Sequence, residues 1–320
     1  MDIKSYADAG VDIDKGERFA EFIGAIKSGA VSPGIGGFAG GVELDLKGYT
    51  NPILLSATDG VGTKLMVAQE LEKYDTLGID LVAMSANDLA VCGAFPLVFL
   101  DYIGCGRLNE EILQEVIKGV VTGCEQAQCT LAGGETAEMP DLYQGDDFDL
   151  AGFCVGLVEK SKMLPRKEQI TAGDIILGIA SSGIHSNGLS LARKVIPKTE
   201  RTLWEELLVP TRIYVPELKA LLATDRILGA AHITGGGLTA NLQRVLPRGL
   251  SSRFTQEWPV PEIFTAIETR GKIDPAEMER VFNRGIGLAL VVKEREVQHL
   301  LSVAKDNRFD LRVIGELIGG

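Results

Sequence analysis

The stretch that decides the fold is residues 53–64, ILLSATDGVGTK. Its first five residues are apolar apart from one serine, which predicts a short buried strand at 53–57. The next residues hold two glycines, an aspartate and a lysine without an apolar repeat, and this pattern predicts a loop. Ligands of α/β proteins bind where strands end, so residues 58–64 are a candidate binding loop.

Strand and helix patterns alternate through most of the chain. Further strands are predicted at 97–103, 129–132, 149–158, 175–180, 286–292 and 311–314, with a short one ending at 234. Helices are predicted at 78–91, 109–124, 213–222 and 238–246, before 196 and from 294. The helix that starts at Asn109 has a plausible N-cap, two glutamates in its first turn and an apolar stripe. The alternation predicts an α/β protein.

Chain length and one polar segment predict two domains. A chain of 320 residues exceeds the usual length of a single domain. The composition turns polar at 161–173, where lysines, an arginine and a proline follow one another closely. We therefore predict an N-terminal domain at 1–165 and a C-terminal domain at 170–320.

Charge and cysteine content exclude several classes of protein. A formal net charge of −12 disfavours binding to nucleic acid or to an anionic membrane surface. The five cysteines form no C-x-x-C pair, which fits reduced thiols in the cytoplasm. Residues 81–100 are nearly all apolar, but Asn87 and Asp88 near their middle favour a buried helix over a membrane span. The charged N-terminus predicts no signal peptide, so we expect a cytoplasmic protein.

Three acidic residues interrupt apolar segments. Asp59 ends a strand, Asp88 lies within an apolar helix, and Glu135 follows a strand and two glycines. A carboxylate in such surroundings is costly unless it is paired or bound to a cation. Each one alone could be a helix cap or an internal hydrogen-bond acceptor. Their occurrence together beside glycine loops predicts a shared Mg²⁺ site.

A lysine and a glycine-rich loop predict phosphate binding. Lys64 could reach a nucleotide phosphate held by the Asp59 loop, or it could be a solvated lysine at a helix start. The loop is not a P-loop, because Gly-Lys-Ser and Gly-Lys-Thr do not occur in the sequence. Residues 34–39, GIGGFA, match a dinucleotide fingerprint only weakly, since no buried strand precedes them. They predict a loop that closes over a nucleotide, or a flexible connector.

Residues 181–188, SSGIHSNG, form the richest polar cluster of the second half. The segment lies between a predicted strand and a predicted helix, so its N–H groups, hydroxyls and imidazole could converge on a phosphate or an amide. His185 could transfer protons near neutral pH, or it could be structural. His232 and His299 are less promising, because one lies in a strand-like segment and the other on a charged helix.

Nine segments, taken together, resemble the phosphoribosylformylglycinamidine cyclo-ligase (AIR synthetase) family. In chain order they are YADAGVDID at 6–14, TDGVGTK at 58–64, GIDLVAM at 78–84, ND at 87–88, GGETAEMP at 133–140, AGFCVG at 151–156, HSNG at 185–188, PTRIYV at 210–215 and TGGG at 234–237. The resemblance spans residues 6 to about 314. Residues 38–41, FAGG, depart from the Gly-Gly-Phe-Gly pattern of the family.

This resemblance implies an ATP-dependent enzyme of purine biosynthesis. The implied reaction converts formylglycinamidine ribonucleotide and ATP into 5-aminoimidazole ribonucleotide, ADP and phosphate through an iminophosphate. The family is expected to form homodimers in which mixed N-terminal sheets join into a barrel-like core. The C-terminal domain is expected to hold a mixed sheet flanked by helices. ATP and Mg²⁺ are the implied cofactors, and neither nucleic acid nor a membrane is an implied partner.

The resemblance also implies roles for individual residues. It assigns Mg²⁺ to Asp59, Asp88 and Glu135, and catalysis to Asp59, Lys64 and His185. It assigns nucleotide contacts to Gly34, Gly36, Gly37, Asp59, Gly60, Gly62, Thr63, Lys64 and Asn87. It assigns substrate contacts to Thr136, Ser182, His185, Ser186, Asn187 and Arg212.

Alternative functions come from the same superfamily and from outside it. A small-molecule kinase such as thiamin-monophosphate kinase would share the nucleotide site. A selenophosphate synthetase would need a reactive cysteine or selenocysteine near the N-terminal glycine loop, and no cysteine precedes Cys92. A nucleotide-binding scaffold would not need three carboxylates together with a histidine-bearing loop.

Overall fold

The computed structural model describes residues 9–255 and 257–320, so the start of the motif at 6–14 lies outside the described residues. The first half forms a four-stranded sheet. Its strands are β1 (Pro52–Gly60), β2 (Phe95–Cys105), β3 (Thr130–Glu138) and β4 (Phe148–Glu159), in the order β1-β4-β2-β3. β4 is antiparallel to both neighbours, whereas β2 and β3 are parallel. The predicted mixed sheet is therefore confirmed.

Helices cover one face of this sheet. They are α1 (Ile13–Ala25), α2 (Leu65–Leu71), α3 (Leu77–Val91) and α4 (Glu110–Ala127). The Asn109 side chain caps α4 as predicted, because its Oδ1 accepts from the Ile112 N–H at 3.4 Å. α3 and α4 approach closely at Gly78, where an added Cβ would lie 2.1 Å from the Val120 backbone nitrogen. A side chain at 78 would therefore separate the two helices.

The second half forms a five-stranded sheet. Its strands are β5 (Ile175–Ala180), β6 (Ile227–His232), β7 (Leu250–Phe254), β8 (Ile286–Val292) and β9 (Arg312–Gly319), in the order β6-β8-β5-β9-β7. All neighbouring pairs of these strands are antiparallel, whereas a mixed sheet was expected. The chain passes from β8 through α11 (Val297–Asp306) to β9, and β5 lies between these two parallel strands. In this sheet, parallel strands are therefore never neighbours.

The remaining helices are α5 (Leu189–Val195), α6 (Arg201–Leu208), α7 (Val215–Leu222), α8 (Gly237–Gln243), α9 (Glu262–Gly271) and α10 (Pro275–Val281). One apolar core runs through both halves and includes Phe99 and Leu81 of the first and Leu177 and Trp204 of the second. α3 is central to it, since it packs against β1, β2, β4 and α4 and also against β6 and α7. α3 therefore packs against both sheets.

The two faces of the first sheet differ in exposure. On β4, Cys154 is buried on the helix side, whereas Phe153 on the opposite side is 43 % exposed. On β1, the side chain of Leu54 is also on the opposite side and is 60 % exposed. The first half thus presents apolar side chains to solvent. No helix within residues 9–255 and 257–320 has the length and apolar character needed to cross a membrane.

Candidate active site

A cavity of about 480 Å³ lies between the two halves. The second half of β1, the C-terminal end of α3, β6 and α8 surround it. Its polar lining includes Ser56, Thr58, Asp88, His232 and Arg244. Thr58 of the motif at 58–64 and Asp88 of the motif at 87–88 therefore meet at this cleft.

His232 orients Asp88 across the boundary between the halves. Its Nδ1 lies 3.0 Å from Asp88 Oδ1, and its Nε2 lies 3.4 Å from Asn87 Nδ2. Asn87 Oδ1 accepts from the Tyr214 N–H at 2.8 Å, so the amide nitrogen faces the imidazole. Nε2 is then the acceptor, and Nδ1 carries the proton that it donates to Asp88. His232 is buried, but the Asp88 side chain is 46 % exposed and faces the cavity.

Asp59 lies near Asp88 at the end of β1. Its Oδ1 accepts from the Gly60 N–H at 2.8 Å. Partial desolvation raises the pKa of Asp59, and the negative charge of Asp88 raises it further. Two neighbouring carboxylates form a site that a divalent cation would stabilise.

Glu135 does not join these two carboxylates within one chain, which corrects the predicted triad. β1 and β3 are opposite edges of the sheet, roughly 14 Å apart over three strand spacings. Asp59 is in one row with Gly152, Asp101 and Gly134. Glu135 follows Gly134, so its side chain points to the other face. In the described part of the chain, no group of three or more His, Cys, Asp or Glu side chains could hold a metal ion.

Lys64 lies in the interior, which corrects its expected contact with a nucleotide. Its side chain is fully buried, with Nζ 2.8 Å from Asp80 Oδ1 and 2.7 Å from the Val209 carbonyl oxygen that accepts from it. Desolvation lowers its pKa, and the negative charge of Asp80 opposes that shift. A 3₁₀ turn at Gly62–Lys64 leads into α2 and directs the side chain inward. This ammonium group is not open to a phosphate.

Asp80 connects α3 to two loops of the second half. Its Oδ1 accepts from the backbone N–H and the hydroxyl of Thr211, at 2.7 and 2.6 Å. It also accepts from the Ser186 hydroxyl at 3.0 Å. Together with Lys64, this buried network holds residue 186 and residues 209–211 against the first half.

His185 is enclosed within the same region. The ring is 1 % exposed, and its Nε2 accepts from the Ser182 N–H at 3.3 Å. Burial lowers its pKa well below the usual value, and the nearby positive charges of Lys64 and Arg212 lower it further. The imidazole is therefore neutral at pH 7. Its enclosure favours the structural role that the sequence left open.

The other predicted substrate residues of the second half meet at one end of its sheet. The Ser182 hydroxyl donates to the Pro210 carbonyl at 2.6 Å, and Asn187 Oδ1 accepts from the Gly235 N–H at 2.9 Å. Arg212 pairs with Glu217 at 2.6 Å. The loops at 181–188, 210–212 and 234–237 are thus joined, and Ser186 is among the residues that join them.

The predicted nucleotide residues are distributed over several places. Asn87 is fully buried and its amide binds only protein groups, which corrects its expected contact with a nucleotide. Thr63 Oγ1 lies 3.1 Å from Ser190 Oγ at the boundary of the halves. Gly62 has a φ of +56°, in the region that favours glycine. Gly60 ends β1 beside Asp59.

A second cavity, of about 330 Å³, lies at the β3 edge of the first sheet. α1, the glycine-rich loop and β3 enclose it, and Gly36, Gly37, Glu135 and Thr136 line it. Gly34 belongs to the same loop, since its carbonyl accepts from the Gly37 N–H at 3.3 Å. The glycine loop is therefore beside Glu135 and Thr136, and not beside Asp59.

Three residues of these sites were not predicted. The sequence pattern makes His232 less promising, although it lies two residues before the motif at 234–237. Asp80 is a charged residue in an apolar helix, the same signal that singled out Asp88. Asp101 lies inside an apolar strand, where a carboxylate also needs an explanation.

Comparison with known proteins identifies the family. The family described as "AIR synthase related protein, N-terminal domain" matches residues 46–158, and "AIR synthase related protein, C-terminal domain" matches residues 171–320. The phosphoribosylformylglycinamidine cyclo-ligase of Carboxydothermus hydrogenoformans is 48 % identical and aligns with 100 % of this chain and 98 % of its own length. The chain belongs to the phosphoribosylformylglycinamidine cyclo-ligase family. Like other members of that family, it is a ligase that forms a C–N bond in an ATP-dependent ring closure of purine biosynthesis.

Solved structures share the fold of this cyclo-ligase family member at low identity. The hydrogenase maturation protein HypE of E. coli has a TM-score of 0.70 and 17 % identity, over 96 % of this chain and 91 % of that protein. Thiamine-monophosphate kinase of Stenotrophomonas maltophilia has a TM-score of 0.62 and 18 % identity, over 85 % of this chain and 84 % of the kinase. At such identities the similarity shows the fold alone. The kinase alternative therefore gains no support from it.

Proposed function

We propose that the chain converts formylglycinamidine ribonucleotide and ATP into 5-aminoimidazole ribonucleotide, ADP and phosphate. The observation that carries this proposal is the 48 % identity to a cyclo-ligase over the whole chain. The cleft supports it, because Thr58 and Asp88, from two motifs shared with that family, line it together with His232.

The proposed reaction has two chemical steps. The formyl amide oxygen attacks the γ-phosphorus of ATP, and ADP leaves. The resulting iminophosphate carbon is a better electrophile than the amide carbon. The ribose-bearing amidine nitrogen then attacks that carbon, phosphate leaves, and loss of a proton gives the aromatic imidazole. The protein mainly positions the reactants and neutralises charge, as in other phosphoryl transfers.

Asp88 and Asp59 are the proposed Mg²⁺ ligands. Carboxylate oxygens suit Mg²⁺, which also keeps several waters. Asp88 has one oxygen fixed by His232, and Asp59 lies close enough for the two charges to interact. When bound, Mg²⁺ would offset the negative charge of the transferred phosphoryl group. Glu135 stays a predicted ligand only if a second copy of the chain brings it to this cleft.

The proposed assembly is a homodimer in the cytoplasm. The exposed side of the first sheet supports dimerisation, because Leu54 and Phe153 on it are uncovered apolar side chains. The five cysteines are free thiols in the structure, which suits a reducing compartment. For the nucleotide we propose contacts from Gly34, Gly36 and Gly37 and from the loop at 60–63. For the substrate we propose Thr136, Ser182, Ser186, Asn187 and Arg212.

The test is a direct assay with purified protein. Formylglycinamidine ribonucleotide and MgATP are expected to yield an aminoimidazole and ADP in equal amounts, whereas thiamin monophosphate and MgATP are expected to yield no ADP. Asp88→Asn should lower kcat strongly while the protein remains folded. Absence of the aminoimidazole, or turnover of thiamin monophosphate, would contradict the proposal.

A further inference from the structure

Asp101 is a buried carboxyl group to which no other residue in the described part of the chain donates a hydrogen bond. It lies in the middle of β2 and is only 7 % exposed. Within residues 9–255 and 257–320, the only hydrogen-bond donor to its carboxylate is its own backbone N–H. A buried carboxylate of this kind is destabilising unless something else donates to it.

The carboxyl group of Asp101 faces the cavity at the β3 edge. That cavity has a volume of about 330 Å³, and Phe19, Ile23 and Ile35 give it apolar walls. Neither lysine nor arginine is among the described residues that line it. Among residues 9–255 and 257–320, no cation therefore faces the Asp101 carboxylate across this cavity.

Gly134 makes room for this orientation. A Cβ at Gly134 would lie 2.3 Å from Asp101 Oδ1, far inside van der Waals contact. A Cβ at the neighbouring Gly133 would have its nearest contact at 3.7 Å, with Leu100 on the other face of the sheet. Of the two glycines, only Gly134 is required by the position of the Asp101 carboxylate.

We propose that Asp101 binds the planar N–C–N edge of a ligand that enters this cavity. An amidine edge presents two N–H donors to the ionised carboxylate, whereas the adenine edge presents the N6 donor and the N1 acceptor and pairs with the protonated carboxyl group. The apolar walls suit a flat unsaturated group. The inference rests on the proposed function, because that function supplies two ligands with this chemistry. One is the amidine of the substrate, and the other is the N1–C6–N6 edge of adenine in ATP.

The test measures ligand affinity by titration calorimetry at pH 7, where both the protonated and the ionised carboxyl group are available. MgADP and formylglycinamidine ribonucleotide are titrated separately into the wild-type protein, Asp101→Leu, Gly134→Ala and Gly133→Ala. For one of the two ligands, Asp101→Leu and Gly134→Ala should raise Kd about tenfold to a hundredfold, the value of one or two charged hydrogen bonds. Gly133→Ala is the matched control and should keep Kd within about twofold.

Asp101→Asn then distinguishes the two sources of the edge. An asparagine side chain both accepts and donates, so it can pair with N6 and N1 of adenine and should restore MgADP affinity. It cannot accept from both nitrogens of an amidine, so substrate affinity should stay low. If Asp101→Leu weakens the binding of MgADP, Asp101→Asn must restore it. If Asp101→Leu weakens the binding of the substrate, Asp101→Asn must leave that binding weak.

Unchanged affinity for both ligands in folded Asp101→Leu would overturn the proposal. Equal weakening of both ligands, with a lowered unfolding midpoint, would indicate general damage and would also overturn it. The wild-type turnover assay is separate from these Kd measurements. A wild-type protein that binds either ligand but forms no aminoimidazole would therefore count against the proposed function and not against Asp101.

Discussion

At the residue scale, the chemistry of the cleft depends on where two histidines, His232 and His185, hold their protons. His232 donates from Nδ1 to Asp88, and this bond leaves one carboxylate oxygen directed to the cavity. His185 is close by but enclosed, with a lowered pKa. The two histidines therefore have different tasks: one orients a surface-accessible carboxylate, and the other supports a loop.

Replacement of His232 tests the orientation of Asp88. His232→Leu removes the hydrogen bond, so we expect affinity for Mg²⁺ to fall about tenfold to a hundredfold, as for other partners of metal ligands. The apparent Mg²⁺ dependence of kcat/KM would measure this loss. The exposed His299→Leu is the control, and it should behave as wild type. Equal Mg²⁺ dependence in both variants would refute the assignment.

Asp101 makes stability depend on pH. Burial raises the pKa of Asp101 from 3.8 to about 7. Between these values the folded protein keeps a proton that the unfolded chain has released, so stability falls as pH rises and levels off above about 7. Asp101→Asn has no such proton. We expect the free energy of unfolding of Asp101→Asn, measured in urea, to rise relative to that of the wild type by about 2 to 3 kcal/mol between pH 5 and pH 8. Parallel pH curves would disprove this.

At the scale of elements, the buried Lys64–Asp80 pair joins the start of α2 to α3. Lys64→Met leaves Asp80 charged and buried without its cation, which should cost about 3 to 5 kcal/mol in urea unfolding. Lys64→Met with Asp80→Asn should regain much of this loss, because Ser186 and Thr211 can still donate to the asparagine oxygen.

The exposed pair Lys73–Glu205 provides the control, since Lys73→Met should change stability by less than about 1 kcal/mol. A Lys64→Met protein with wild-type stability and no activity would instead restore the role in phosphate binding that the sequence suggested.

Strand and helix positions were largely predictable from periodicity. Strands β5 and β8 occur at the predicted residues 175–180 and 286–292. Short amphipathic helices such as α9 and α10 were missed, because seven to ten residues carry too few apolar repeats.

The candidate site was only partly predictable. Asp88 reaches the cleft as expected, but Glu135 does not reach Asp59, since one sequence does not reveal which strands are neighbours. The inward orientation of the Lys64 side chain could not be predicted either, because it depends on a partner, Asp80, from another helix.

The whole molecule has one apolar surface that a second copy can cover. Phe153→Glu places a charge beside Leu100 and Thr58, its row neighbours on the exposed side of the first sheet. We expect wild type to have the mass of a dimer in light scattering, and this variant to have the mass of a monomer. Leu142→Glu, at a loop residue that is 70 % exposed, should remain dimeric. A monomeric wild type would exclude the homodimer.

The central position of α3 restricts how ligands can come and go. Asp80 fixes it to one set of loops of the second half, and Asn87 and Asp88 fix it to another. If the cleft opened by rotation of one sheet away from the other, α3 would lose its contacts with one half. Its side chains, which are nearly all buried, would then be exposed to water. Nucleotide and product must therefore enter and leave through small rearrangements at the rim of the cleft. A fragment that holds only the first sheet would expose α3 and aggregate.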